Sequence, residues 1–71
     1  MRVYISADIE GVAGVVTPMQ TVTDGKEWAR ACRWMTGEVC AAIEGATAAG
    51  AAEFVISDSH GSGQNLILDD L

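Results

Sequence analysis

Two short apolar runs, "RVYISAD" at Arg2 to Asp8 and "AEFVIS" at Ala52 to Ser57, flank one long segment of helical periodicity. That order, strand then helix then strand, limits the possible folds more than any other feature of the chain. Both runs are rich in β-branched and aromatic residues and are bounded by Gly or acidic residues, as strands buried in a parallel sheet are. Between them Trp28, Ala31, Cys32, Met35, Val39, Ala42, Ile43, Ala46 and Ala49 keep the three-to-four spacing of one apolar helix face. Asp24, followed three residues later by Glu27, predicts a capping box at the helix start, and Gly50 predicts its end. Gly37 and Gly45 lie inside the helix and cost ~1 kcal/mol each relative to Ala unless close packing requires them. The predicted fold class is α/β: a βαβ unit with parallel strands and a right-handed crossover.

One such unit cannot close a fold. A single helix covers one face of a two-stranded sheet and leaves the other face to water. At 71 residues the chain is also short for a self-sufficient core. Residues 1–71 are therefore expected to form the incomplete, N-terminal part of a three-layer α/β/α domain, with "NLILDDL" opening a further apolar segment. The connection from Gly11 to Asp24, "GVAGVVTPMQTVTD", lacks periodicity and is long for a plain strand-to-helix loop; such loops tend to be functional.

Charge narrows the partners. Ten acidic residues against four basic ones give a net charge of −6. Nucleic acid needs clustered Lys and Arg to displace its counterions, so it is not an expected partner, and neither is an anionic membrane surface. The opening residues carry two acids, unlike a signal peptide, and no apolar run approaches the ~20 residues of a membrane span. The expected location is the cytoplasm. Cys32 and Cys40 would lie ~12 Å apart along the helix axis, too far to bridge, and are expected to be reduced.

Each strand-like run ends in carboxylates: "DIEG" at Asp8 to Gly11, and "DSHG" at Asp58 to Gly61, which holds the one histidine. Parallel strands bring both ends to the same carboxyl edge, where open α/β sheets bind ligands. If the first strand continues far enough, Asp8 and Glu10 share a face. If the two strands pair directly, ~4.8 Å apart, His60 reaches the same point. Zinc accepts carboxylate oxygen and imidazole nitrogen at about 2.0–2.2 Å. Asp8, Glu10 and His60 are thus the candidate metal ligands, three donors that leave the site open. Asp58 either orients His60 from behind or caps its turn. Ser57 and Ser59 flank His60 but lack a nucleophile elbow, and the glycine pairs match no nucleotide-binding pattern.

The stretches "YISADIEGVAGV", "MTGEVCAAIEGATAAGA" and "DSHGSGQNL" together resemble the start of the zinc-dependent D-aminopeptidases, relatives of a protein first named for dipeptide transport. The resemblance spans the whole chain in the right order. It implies a metallopeptidase that removes N-terminal D-amino acids from short peptides and assembles as a homo-oligomeric ring. It further implies two zinc ions, with Asp8 bridging them and Glu10 and His60 as further ligands. The remaining ligands and a catalytic histidine of that family belong to a part not matched by these residues, so the 71 residues alone are expected to be inactive. Two other readings stay open. A haloacid-dehalogenase-like phosphatase would use Asp8 as nucleophile, although Glu10 stands where a second Asp is usual. A truncated module without chemistry would act through its uncovered sheet and helix.

Overall fold

The computed structural model describes residues 1–71. Strand β1 (Arg2–Ala7) leads through a long connection to helix α1 (Trp28–Ala48), and strand β2 (Glu53–Asp58) returns beside β1. The strands pair directly and in parallel, with Arg2 opposite Glu53 and Ala7 opposite Asp58. Short 3₁₀ turns occupy Ile9–Gly11, Pro18–Gln20 and Leu68–Asp70. The expected βαβ unit is present. No helix is long and apolar enough to cross a membrane.

Alternation along the strands separates two faces. Val3, Ile5 and Ala7 of β1 and Phe54 and Ile56 of β2 are half-buried, whereas Tyr4 and Val55 on the opposite face are 64% and 50% exposed. Only one face is covered, so these strands are half-buried and not enclosed on both sides. The core lies where α1 meets the start of the connection. Ile9, Val12, Ala31, Cys32 and Met35 are buried together, with Trp28, Trp34, Leu66 and Ile67 packed around them. Burial raises the Cys32 thiol pKa, with the Asp58 charge adding to it, so this cysteine is a packing residue. Neither cysteine is bridged.

Two expectations for α1 are corrected. Its apolar stripe is buried through Val39, but Ala42 and Ala49 are exposed and Ile43 and Ala46 only half-buried. The reason is length: a strand of six residues spans ~20 Å and a helix of 21 residues ~32 Å, so the sheet cannot cover all of it. The Asp24–Glu27 capping box does not form. Asp24 adopts a left-handed φ of 62°, and Glu27 caps the helix without any side-chain bond. The chain enters through a tight turn instead, with Gly25 N–H donating to the Val22 carbonyl and Glu27 N–H to that of Met19. A Cβ at Gly25 would stand 2.6 and 2.7 Å from the Met19 and Val22 carbonyl oxygens, so only glycine fits there. The reach-back half of a capping box occurs earlier, where Thr17 N–H donates to Gln20 Oε1 at 3.0 Å.

The helix ends as expected. Gly50 has φ 108°, and Ala51 N–H donates to the Ala46 carbonyl at 3.0 Å, closing the final turn. Nothing approaches a Cβ placed on Gly37 or Gly45, so close packing does not explain either.

Met35, 1% exposed, is a central member of this small core. Met35→Ala is expected to lower unfolding free energy by about 2–5 kcal/mol, whereas Tyr4→Ser on the uncovered face changes it by about 0.5 kcal/mol or less. Urea denaturation of both variants checks the pair; equal losses would contradict this placement of the core.

Candidate metal centre

Three constraints bring the chemistry to one point. The first is strand register: with Ala7 opposite Asp58, the residues that follow leave the sheet side by side, and Ser59 N–H extends the pairing to the Ala7 carbonyl at 2.8 Å. The second is a turn. β1 stops at Ala7, and the chain folds into the 3₁₀ turn Ile9–Gly11, closed by Gly11 N–H to the Asp8 carbonyl at 3.1 Å. Asp8 and Glu10 therefore converge through a turn and not along an extended strand. The fully buried Ile9 between them anchors it. The third is the connection before α1, whose Thr21 carbonyl lies 2.6 Å from His60 Nε2.

His60 Nδ1 sits 3.1 Å from an Asp8 carboxylate oxygen and 2.9 Å from one of Glu10. One ligand atom from each of the three residues falls within 4.8 Å of the others. His60 is the enclosed member, its side chain 18% exposed, while Asp8 and Glu10 are 58% and 59% exposed. The group is open on the carboxylate side and firm on the imidazole side.

Hydrogen-bond chemistry assigns the ring. A carbonyl oxygen only accepts, so Nε2 carries the proton donated to Thr21. Nδ1 then faces two carboxylates, which also only accept. A lone pair aimed at two anions is repulsive, so the arrangement calls for a positive species between them: a second ring proton or a metal cation. The proton's hold is visible in the pKa directions. The Thr21 carbonyl, ahead of the Glu10 and Asp8 carboxylates, raises the His60 pKa above its ordinary 6.5 against the opposing effect of burial. The Asp8 pKa falls below the usual carboxylate value, through the neighbouring Glu10 side chain first and then through His60. Two carboxylates and an imidazole whose far nitrogen is fixed by a carbonyl form a donor set that suits zinc.

Asp58 is placed differently. Its carboxylate accepts from the Asn65 and Leu66 main-chain N–H groups, both at 2.7 Å, and from the Asn65 side chain at 2.8 Å. It latches the 58–66 loop and does not contact the imidazole. Ser57, Ser59 and Ser6 hydroxyls bond one another at 2.7 and 3.0 Å on the uncovered face of the sheet.

A family model for D-aminopeptidases matches residues 1–71. The chain belongs to the D-aminopeptidase family. Comparison with curated proteins and with solved structures returned no match. Membership in this peptidase family favours peptide hydrolysis over the phosphatase alternative, and the matched residues include both "DIEG" and "DSHG".

Sequence reasoning did not find the supports of His60. Thr21 acts through its main chain, which leaves no side-chain signature. Gln20 could have been noticed, since Thr-Pro-x-Gln is a capping pattern with Pro at the first position. Its buried amide bonds Val16 N–H, Thr17 N–H and the Gly14 carbonyl, and so holds the connection that presents Thr21.

The Asp58 latch has a definite pH dependence. Burial alone would raise its pKa, but bonds from Asn65 and Leu66 outweigh that and lower it below 3.8. A depressed carboxylate stabilises the fold above its unfolded pKa and loses that effect as pH falls through the folded one. Amide exchange at Asn65 and Leu66 should therefore stay protected near pH 7 and lose protection only well into the acid range. In Asp58→Asn it should be weak throughout. Unchanged protection in that variant would remove the latch.

Proposed function

We propose that this chain is the metal-binding, N-terminal part of a zinc-dependent aminopeptidase that acts on short peptides with an N-terminal D-amino acid. The observation that carries the reading is the convergence of Asp8, Glu10 and His60 Nδ1 at the strand ends of a D-aminopeptidase family member. Asp8, Glu10 and His60 would hold a zinc ion. Zinc so held supplies a Lewis acid for the scissile carbonyl and acidifies water at neutral pH.

The chain's own residues have distinct tasks in this reading. The Thr21 carbonyl keeps the proton on Nε2 and leaves Nδ1 free as a donor. Asp8 and Glu10 supply negative charge on the open side, where a peptide can approach. The single histidine is committed to the cluster, so no second imidazole within residues 1–71 can move a proton for the reaction. For that reason the 71 residues by themselves are proposed to bind metal without turning over peptide. A homo-oligomeric ring and a cytoplasmic location belong to the same proposal and rest on the family resemblance and the charge pattern.

Zinc content of the purified chain, by elemental analysis after dialysis, tests the reading. About one equivalent is expected, with loss in Asp8→Ala and in His60→Ala and partial loss in Glu10→Gln. Zinc that remains in both alanine variants would place the metal elsewhere and defeat the proposal.

A further inference from the structure

Only three large side chains are fully enclosed: Ile9, Met35 and Asn65. Two are apolar, as a core requires. The third is an amide, 2% exposed, and a buried amide is costly unless its hydrogen-bonding capacity is used. Asn65 uses it. Its Oδ1 accepts from the Trp28 indole Nε1–H at 3.0 Å, while its Nδ2 donates to Asp58 Oδ1 at 2.8 Å and to the His60 carbonyl at 2.7 Å. Its main-chain N–H donates to the second Asp58 oxygen at 2.7 Å. One side chain thus ties the first residue of α1, the last residue of β2 and the main chain of His60.

The bond to His60 matters most, because it lies at the root of the imidazole and not at its tip. At the tip, Nε2 is held by Thr21, and Nδ1 faces the two exposed carboxylates. Those contacts orient the ring only if its Cα is already in place. The segment carrying it, Ser59 to Gln64, lies outside helix and strand and includes Gly61 and Gly63 at positive φ. Beyond the Ser59 N–H bond to Ala7, a Gly63 N–H bond to the His60 carbonyl and a bond from His60 N–H to the Asp58 carboxylate, the main chain here is held by Asn65, which also orients that Asp58 carboxylate.

We propose that Asn65 is a positioning residue for the metal centre. By holding the His60 carbonyl against α1 and β2, it sets Nε2 on the Thr21 carbonyl and Nδ1 toward Asp8 and Glu10. The inference rests on reading those three residues as a cation site. It adds a residue that touches neither cation nor substrate, yet sets the geometry of the ligand that does.

The single histidine makes the test direct, since its imidazole N–H signal has one source. In ¹⁵N-edited NMR of the metal-free chain, wild type should show one slowly exchanging His60 Nε2–H. Asn65→Ala should lose it. Cobalt(II) titration, followed by visible absorption, should then show affinity reduced about 10- to 100-fold in Asn65→Ala, with an altered ligand-field spectrum. Phe54→Ala, at the far end of β2, serves as the control for general destabilisation and should keep both the signal and the affinity while it remains folded. Trp28→Phe removes one bond to Asn65 yet keeps an aromatic ring, and should move both readouts in the same direction by less. It also decides the matter if Asn65→Ala does not fold. An unchanged Nε2–H signal in the folded Asn65 variant, or in Trp28→Phe if that variant alone folds, overturns the inference, as does an equal loss in Phe54→Ala. A wild type that shows the signal but takes up no cobalt overturns the metal reading, and the positioning role for a cation with it.

Discussion

The parallel register of β1 and β2 is the constraint on which the rest depends. It is a main-chain interaction, set by two six-residue strands, yet it decides which side chains meet. A shift of one residue would send every side chain to the other face of the sheet and carry His60 away from Asp8. The register is supported from the helix side by the alternation of Val3, Ile5 and Ala7 with Phe54 and Ile56. At the far end, Arg2 and Glu53 are also opposite, with their side chains paired at 3.1 Å. That surface pair contributes little energy, but it agrees with the register instead of opposing it.

The site built on this register is held unevenly. Its imidazole is gripped from two directions by neutral groups: the Thr21 carbonyl at Nε2, and Asn65 through the main chain. Its carboxylates are exposed, and their side-chain contacts within the group are to His60. A rigid nitrogen donor with adaptable oxygen donors suits a cation that must keep open positions. The excess of acidic residues over basic ones works in the same direction, since it favours cations over anions near the protein.

Much of this was legible in the sequence because it depends on short-range periodicity. The strands, the helix and their order follow from apolar spacing, and a parallel pairing puts "DIEG" beside "DSHG". What was not legible depends on how segments meet. The capping box at Asp24 satisfied a local rule, but the contact of Gly25 with two carbonyl groups sends the chain into α1 by another route. Glu10 was placed near Asp8 on the assumption of extended chain; a 3₁₀ turn around the fully buried Ile9 brings the two together instead. Asp58 was read as either a support of His60 or a cap of its turn; which groups it binds, the main chain of His60, Asn65 and Leu66 and the Asn65 side chain, shows only once the loop is folded. Asn65 gave no signal at all, because a buried amide is recognised only once its three bonds can be counted.

The use of a main-chain oxygen at Thr21 changes what kind of variation the site can absorb. Any residue other than glycine or proline leaves a carbonyl in the same place if the path of the chain is kept, so the identity of the side chain at 21 matters little to the ring. The number of residues between Ile9 and Trp28 matters a great deal. Adding or removing one would shift the carbonyl by the length of a peptide unit, about 3.8 Å, and leave Nε2 without its acceptor. The centre is therefore written partly in chain length, and a substitution scan of this connection would pass over a requirement that a single deletion exposes.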